Sequence, residues 1–339
     1  MLESLHAAEL EHIVSLQRIP VPAVVMKALS NLGPSAYLVC LLGLIYVCFD
    51  SRLGARLLLV YFGSEVVSHF TKLAFHSPRP FWMDERVQAF EPTATSFGLP
   101  SGHSLVATCI WLLLAVEARR AWFWVASINV ILLVSLSRVW LGAHFISDVV
   151  AGWLFGGLVL LMFFWGERRF GGLCTRLNLK QQVLLTGLVT ITIVVLGFAI
   201  RATMAANVDP TQWPKYPGTA RSFRSLGAYS GTVLGLGIGL AMAARWARFH
   251  AGGPIKQRVL RVLLIAAPAA LYGLRPRGLL KELPDLLGFT LLFVATALAA
   301  WGFTFALPWL LIRIGLAGPS PAVETLSPST ESQHEPKLP

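Results

Sequence analysis

The chain has 339 residues, of which 55% are hydrophobic and only 13% are charged, and its formal net charge is +11. Soluble globular domains carry about 25% charged residues, so this composition excludes an ordinary soluble protein and predicts several membrane spans. The positive charges fall in short loops between apolar runs, a distribution that excludes a basic nucleic-acid-binding surface, and we expect no nucleic-acid partner.

The first residues differ from the rest of the chain. Residues 1–34 mix apolar and charged side chains and contain Pro20 and Pro22, a pattern that predicts a short amphipathic segment on the membrane surface. Apolar runs follow and predict membrane-spanning helices at 36–49, 55–75, 103–117, 121–139, 145–165, 183–200, 228–244, 259–274 and 286–314. The predicted fold class is therefore all-α, a polytopic membrane bundle of about nine transmembrane helices.

Three polar motifs interrupt the apolar sequence between the second and the fifth predicted span. They read Lys72-x6-Arg79-Pro80, Pro100-Ser101-Gly102-His103 and Ser137-Arg138-x5-His144-x3-Asp148. Because successive spans run in opposite directions, all three motifs are predicted to lie at the same face of the membrane. Four helix ends would then meet in one polar site.

The residue types in these motifs suit a bound phosphate. Arg79 and Arg138 can each form two parallel hydrogen bonds with phosphate oxygens, and Lys72 adds a point charge. Ser101 and Gly102 stand where a span begins, and there the free backbone N–H groups and the helix dipole favour an anion. The sequence therefore predicts a phosphate-binding site.

The histidines add reactive groups to that site. His144 and Asp148 are four residues apart, a spacing that is predicted to place them on one helix face. A carboxylate that accepts the proton of one ring nitrogen raises the basicity of the other nitrogen, which can then attack phosphorus. His103 begins another span and is left to protonate the leaving oxygen.

Two further features of the sequence bear on the site. Glu65 and His69 share one face of the second span with Lys72, and we predict that they support the lysine from behind. The alternative of a metal site is disfavoured, because no HExxH motif is present and three nearby cations would repel a divalent ion. We therefore expect no metal and no cofactor.

Together the three motifs resemble those of the type 2 phosphatidic acid phosphatase superfamily, in which bacterial lipid phosphate phosphatases and glucose-6-phosphatase are found. The motif positions within residues 72–148 agree without a departure. The resemblance implies that His144 forms a phosphohistidine, that Asp148 orients it, and that His103 serves first the leaving group and then water. It also implies that the phosphoryl oxygens are held by Lys72, Arg79, Ser101, Gly102 and Arg138.

With this resemblance the chain divides into four predicted regions. An amphipathic N-terminal segment covers 1–34, a catalytic membrane core covers 35–170, additional transmembrane helices cover 171–316, and a disordered tail rich in Ser, Pro and Glu covers 317–339. The seventh span contains glycines whose spacing predicts close helix packing rather than a ligand site: Gly231, Gly235, Gly237 and Gly239.

The predicted activity is that of an integral membrane phosphatase acting on a lipid-linked phosphate or pyrophosphate. Candidate substrates are polyprenyl pyrophosphate, phosphatidylglycerophosphate, phosphatidate and sphingoid phosphates. Three alternatives stay open: a phosphotransferase that uses the same phosphohistidine, a hydrolase of a soluble sugar phosphate, and a lipid transporter or scramblase that keeps a degenerate site, against which the intact catalytic residues argue. The sequence leaves the oligomeric state open.

The distribution of Lys and Arg predicts the orientation in the membrane. Loops on the face opposite the motifs contain 14 such residues, whereas loops on the motif face contain 11. Three of those 11, namely Lys72, Arg79 and Arg138, are assigned to the phosphate site. The bias places the motifs outside, and we expect a bacterial inner membrane with the site facing the periplasm.

Overall fold

The computed structural model describes residues 2–91, 96–207, 213, 220, 222–273 and 283–319. The first part of the chain forms α1 (Leu2–Gln17), α2 (Ala23–Ser30), α3 (Ala36–Leu44), α4 (Ser51–Phe75), α5 (Pro80–Met83), α6 (Gly102–Ala118), α7 (Ala121–Trp140) and α8 (Ile146–Arg176). The second part forms α9 (Leu179–Asn207), α10 (Arg224–Met242), α11 (Ile255–Gly273), α12 (Asp285–Trp301) and α13 (Leu307–Arg313). Single π-helical turns extend α3 and α10 and join α12 to α13, and the short strands β1 (Phe249–His250) and β2 (Gly318–Pro319) pair antiparallel.

The predicted spans coincide with helices wherever the structure describes them, so the all-α membrane fold is confirmed. Within the described ranges, five helical segments are long and apolar enough to cross a membrane: Ala121–Trp140, Ile146–Arg176, Leu179–Thr203, Arg224–Ala247 and Asp285–Arg313. Ala36–Phe49 and Gly102–Ala118 are shorter apolar helices. The count of nine spans stays a prediction, and the tail beyond residue 319 lies outside the described residues.

Helix α8 is longer than the sequence predicted. It has 31 residues and continues to Arg176, whereas the predicted span ended at residue 165. The extra turns contain four charged residues and no proline, so no proline ends the helix once it leaves the apolar layer. The predicted boundary between core and additional helices at 170/171 therefore falls inside a continuous helix.

An ionic cluster at the end of the core far from the motifs shows that neighbouring helices are antiparallel. Arg56, near the start of α4, pairs with Glu117 at the end of α6 and with Glu167 late in α8. The opposite ends of α4 and α6 are therefore also close together, and these ends contain Lys72 and Ser101.

Glycines bring α8 into direct contact with the first turns of α6. A methyl group built on Gly152 would lie 2.8 Å from the Ser101 carbonyl oxygen, and one built on Gly156 would lie 2.6 Å from the Leu105 carbonyl oxygen. Small residues four apart allow helix backbones to approach closely in a membrane. This contact fixes the start of α6 against the start of α8.

We expect Gly152→Ala to lower stability and activity. Its new methyl group has no space beside Ser101, and overpacking of this kind costs about 1–3 kcal/mol. Gly157→Ala is the matched control, because a methyl group at Gly157 would meet nothing within 4 Å. Thermal unfolding in detergent and phosphate release would be measured for both variants. Equal unfolding temperatures would contradict the close contact.

The additional helices pack through the glycines of α10, as the sequence predicted. Gly231 and Gly235 lie directly on backbone carbonyl groups of α12, Gly237 lies on Thr186 of α9, and Gly239 lies on Thr304. Helix α10 also packs against α4, so the additional helices adjoin the core. The interpretation of these glycines as packing residues is confirmed.

The N-terminal segment contributes to the protein core. Leu10 and Ile13 of α1 are buried in an apolar cluster that also contains Trp82, Phe97 and Phe145. Phe97 lies just before the Pro100–His103 motif in sequence, and Phe145 directly follows His144. The segment therefore packs on the motif face of the helical core, a contact that the prediction of a surface helix did not include.

Candidate active site

The four predicted helix ends meet. Lys72 lies in the last turn of α4, Ser101 caps the start of α6, Arg138 lies in the last turn of α7, and His144 directly precedes α8. Arg79 reaches them from the loop before α5. The side chains of Arg79, Ser101, Arg138 and His144 are all buried. The structure thus brings together the residues that the motifs predicted would converge.

His144 and Asp148 are in contact, but in a geometry that differs from the prediction. His144 stands in the turn before α8, so the two residues do not share a helix face. The Asp148 Oδ2 atom lies 3.2 Å from His144 Nδ1 and accepts the backbone N–H of Phe145 at 3.0 Å. One carboxylate oxygen therefore caps the helix and orients the imidazole. The predicted shared face was wrong, whereas the predicted contact is confirmed.

Arg79 is the cation closest to the other ring nitrogen. Its Nη1 atom lies 3.3 Å from His144 Nε2 and donates to the Ala143 carbonyl oxygen at 2.7 Å. Its Nε and Nη2 atoms donate to the Ser96 carbonyl oxygen and hydroxyl at 2.6 and 3.0 Å. This network fixes the guanidinium group beside His144 Nε2, the ring nitrogen that does not contact Asp148.

The surroundings of His144 keep its ring unprotonated. Burial lowers the pKa of His144 well below its ordinary value, and the charges of Arg79, Lys72 and Arg138 lower it further. Since the neutral form prevails above the pKa, the ring is neutral at pH 7. Its Nδ1–H then donates to Asp148, and its Nε2 atom has a lone pair that can act as a nucleophile.

Lys72, Ser96 and Gly102 form the next part of the site. The Lys72 ammonium group donates to the Phe97 carbonyl oxygen at 3.2 Å and lies 3.4 Å from the Ser96 hydroxyl. A methyl group built on Gly102 would come within 2.9 Å of the Ser68 hydroxyl and close to the Lys72 side chain. Glycine at 102 therefore lets α4 and α6 approach each other at the lysine.

Arg138 has a partner that the sequence analysis missed. Its Nη1 atom donates to the Ser30 hydroxyl and to Glu91 Oε2, each at 2.7 Å. Arg138 is 2% exposed, so this ion pair is shielded from water on the arginine side. The charges of Arg138 and Arg79 also act on each other. A carboxylate thus occupies one edge of an arginine that was predicted to hold phosphate.

The N-terminal helix supplies a second missed carboxylate. Glu9 of α1 accepts the backbone N–H and the hydroxyl of Ser147 at 2.9 Å each. The His6 ring stacks on Phe145 with the ring centroids 4.1 Å apart. Helix α1 therefore holds the first turn of α8, next to His144.

His103 and the two supporting residues lie around this centre. His103 contacts Gly33, and electrostatic interactions link it to Arg138, Lys72 and His144. Glu65 interacts with Lys72 and accepts a hydrogen bond from Tyr229 of α10, whose ring centroid is 5.6 Å from that of His69. The roles of His103, Glu65 and His69 stay predictions.

Among the described residues, no group of three or more His, Cys, Asp or Glu side chains could hold a metal ion. The cations of the site set the chemistry of the centre instead. Arg79, Lys72 and Arg138 present positive charge around a neutral imidazole. Such an arrangement can bind an anion and place it against a nucleophilic nitrogen.

Comparison with known protein families gives two matches along the chain. Residues 53–171 match the family described as "PAP2 superfamily", and residues 227–319 match the family described as "PAP2 superfamily phosphatase, transmembrane extension". The first match contains all three motifs. The second begins in α10 and continues to the end of the described part of the chain.

Similar individual proteins have also been identified. Undecaprenyl-diphosphatase of Sulfolobus acidocaldarius is 32% identical over 108 residues, which are 32% of this chain and 52% of that protein. Phosphatidylglycerophosphatase B of Bacillus subtilis is 27% identical over 154 residues, which are 41% of this chain and 71% of that protein. The crystal structure of a Bacillus subtilis transmembrane PAP2-type phosphatidylglycerolphosphate phosphatase has a TM-score of 0.40 and 23% identity, covering 49% of this chain and 87% of that chain.

Proposed function

Because the chain belongs to the PAP2 superfamily, we propose that it is an integral membrane phosphatase that hydrolyses lipid-linked phosphomonoesters or pyrophosphates. One observation supports this most strongly: a buried, neutral imidazole is oriented by Asp148 at Nδ1 and adjoins Arg79 at Nε2. A nucleophile, its orienting group and a phosphate-binding cation are thereby aligned. The names of the two similar proteins, a diphosphatase and a phosphatidylglycerophosphatase, agree with this activity.

The first chemical step transfers the phosphoryl group to His144. An entering phosphoryl oxygen takes over the hydrogen bond that Arg79 Nη1 makes at His144 Nε2. The freed Nε2 lone pair forms a bond to phosphorus while the bond from phosphorus to the leaving oxygen breaks. His103, which takes up a proton from solvent as the anionic phosphoryl group binds among these cations, gives that proton to the leaving oxygen. The charge on the phosphoryl oxygens is stabilised by Arg79, Arg138, Lys72 and donors at the start of α6.

The second step returns the enzyme to its starting state. The now neutral His103 accepts a proton from water, and the water oxygen attacks phosphorus as the P–N bond breaks. Phosphate leaves, and the Nδ1–H group of His144 again donates its hydrogen bond to Asp148. Asp148 stabilises the positive ring during both steps, since phosphorylation of Nε2 leaves the second nitrogen protonated.

A lipid substrate fits the position of the site. The site lies at the ends of membrane-spanning helices, where the phosphate of a lipid already resides, so the acyl chains can stay in the bilayer. The predicted substrates are polyprenyl pyrophosphate, phosphatidylglycerophosphate, phosphatidate and sphingoid phosphates. We propose that the site faces the periplasm of a bacterial inner membrane, on the basis of the Lys and Arg distribution.

Phosphate release from these four lipid classes in detergent tests the proposal. Glucose 6-phosphate would be included as the soluble substrate, and a second lipid alcohol as an acceptor would reveal phosphotransfer. We expect release from at least one lipid and little from the sugar phosphate. Release from the sugar phosphate alone, or transfer to the acceptor without release, would replace the proposed activity by one of the alternatives.

Activity is expected to be independent of metal ions. Three cations surround the phosphoryl site, so no metal is needed to neutralise its oxygens. Treatment with EDTA should leave phosphate release within about twofold of the untreated rate, and orthovanadate should inhibit by resembling pentacoordinate phosphorus. If EDTA removed activity and added magnesium or zinc restored it, the metal-free mechanism would be excluded.

The proposed orientation predicts a labelling pattern. Gln88 is an exposed residue on the motif face, and Cys174 is an exposed native cysteine near the opposite end of α8. One variant would have Gln88→Cys without native cysteines, and the other would keep Cys174 as its single cysteine. In intact cells an impermeant thiol reagent should label the Gln88→Cys variant and spare the other, and permeabilisation should make Cys174 reactive. The reverse result would place the site in the cytoplasm.

A further inference from the structure

A row of hydrogen-bonded side chains lies behind Ser101, and none of the other residues in it was predicted to belong to the site. Ser101 Oγ is 3.1 Å from Ser104 Oγ in the same helix, and Ser104 Oγ is 3.1 Å from Ser135 Oγ of α7. Ser135 Oγ is 2.9 Å from the indole nitrogen of Trp153 in α8. The three serines are at most 3% exposed, so their hydroxyl groups are closed to water.

These hydrogen bonds all run in one direction, from the tryptophan toward Ser101. An indole N–H can only donate, so Trp153 donates a hydrogen bond to Ser135. Ser135 then donates to Ser104, and Ser104 donates to Ser101. The Ser101 oxygen also accepts the backbone N–H of Ser104 at 3.4 Å. Within the described part of the chain, the Ser101 hydroxyl proton is left without an acceptor.

The geometry points to Trp153, Ser135 and Ser104 as positioning residues that aim the Ser101 hydroxyl proton at the phosphoryl group. This inference rests on the proposed function, in which Ser101 holds a phosphoryl oxygen. A lone serine hydroxyl rotates freely and can turn its proton to a nearby carbonyl group. Here both lone pairs of Ser101 are engaged by donors, so its proton can only point away from the row.

Preorganisation gives this arrangement a catalytic consequence. A donor that already points at the phosphoryl oxygen needs no reorientation as charge shifts in the transition state. Hydrogen bonds in a dry row also polarise one another, which strengthens the last donor. Loss of the row should therefore lower kcat more than it raises KM, because the benefit is greatest in the transition state.

A double-mutant cycle between Ser101 and Ser135 tests the inference. We expect Ser135→Ala to lower kcat roughly tenfold, less than the 10²- to 10³-fold typical of losing an oxyanion donor outright. Trp153→Phe, which keeps an aromatic ring and removes the N–H group, should act in the same direction. In a Ser101→Ala background, Ser135→Ala should have almost no further effect. Equal effects of Ser135→Ala in both backgrounds would overturn the inference.

Ser127→Ala is the matched control for this cycle. Ser127 lies on α7 like Ser135 and is buried, and its hydroxyl has no hydrogen-bond partner in the described structure. Its removal should leave kcat unchanged, with unfolding temperatures in detergent recorded for every variant. A loss of kcat in Ser127→Ala equal to that in Ser135→Ala would assign the effect to helix packing and overturn the positioning role.

Orthovanadate binding separates this inference from the proposed function. The same four proteins of the cycle would be titrated with orthovanadate, which needs no lipid substrate. If Ser135→Ala lowered vanadate affinity in the wild-type background but not in the Ser101→Ala background, the result would support the positioning role. This holds even if every tested lipid failed as a substrate. If Ser101→Ala left both vanadate binding and turnover intact, the assignment of Ser101 would fail, and the positioning role would fail with it.

Discussion

Replacing His144 by alanine should reduce phosphate release by about 10⁵- to 10⁶-fold, the scale on which covalent hydrolases lose activity without their nucleophile. The imidazole contributes the only nitrogen in the described site that is oriented by a carboxylate and faces an arginine. The uncatalysed hydrolysis of phosphate monoesters is extremely slow, so no background reaction would hide the loss. Wild-type protein quenched during turnover should contain acid-labile phosphate, and His144→Ala should contain none.

The control for this experiment is His12→Ala. His12 is an exposed histidine of α1, on the same face of the protein, and its loss should leave turnover unchanged. Insertion and folding of His144→Ala would be verified by its unfolding temperature in detergent. Retention of a tenth of wild-type activity by a folded His144→Ala protein would disprove its assignment as the nucleophile.

The helical framework could be predicted because its signal is local. Apolar runs of 14 residues or more, as in Ala36–Phe49, can satisfy their backbone groups in a membrane only as helices. The convergence of the motifs could be predicted for a related reason, since alternating helix directions assign every second loop to one face. Neither inference needs contacts between distant side chains.

Contacts between distant residues could not be predicted. Glu9 binds Ser147 across 138 residues of sequence, and Glu91 binds Arg138 across 47. Nothing local distinguishes Glu9 from Glu11, because which carboxylate turns inward depends on how α1 packs on the core. The row of hydrogen bonds behind Ser101 could not be predicted for the same reason, since its residues lie on three different helices.

One missed feature did have a local signal. Gly152 and Gly156 are four residues apart in the fifth predicted span, the small-residue spacing that was recognised in the seventh span. They hold α8 against the start of α6 and so determine where Ser101 lies relative to His144. Applying the same rule to both spans would have predicted this contact.

The spacing of His144 and Asp148 shows how a correct contact can follow from an incorrect geometry. Four residues on a helix bring two side chains together, but His144 precedes α8 and its partner lies in the first turn. The contact arises because Asp148 turns back to cap the Phe145 N–H group. This capping leaves His144 outside the helix, where its ring can face the loop that contains Arg79.

Asp148→Asn is expected to lower kcat by about 10²- to 10⁴-fold while the turn keeps its shape. Asp148 Oδ2 alone receives both the Phe145 N–H group and the His144 Nδ1 atom. An asparagine with its oxygen in that position keeps both bonds and loses only the negative charge. Its amide group would occupy the place of Oδ1, which is buried without a hydrogen-bond partner in the described structure.

The variant therefore separates the charge of Asp148 from its orienting role. The unsatisfied amide should cost about 1–3 kcal/mol of stability, measurable as a lower unfolding temperature. Asp84→Asn, a change of a half-buried aspartate bound to Arg86 on the same face, should leave kcat within about twofold of wild type. Near-normal turnover in Asp148→Asn would mean that orientation suffices and that the phosphorylated ring needs no counter-charge. A large loss of kcat, with little change in KM, would show that Asp148 stabilises the positive imidazole as the P–N bond forms.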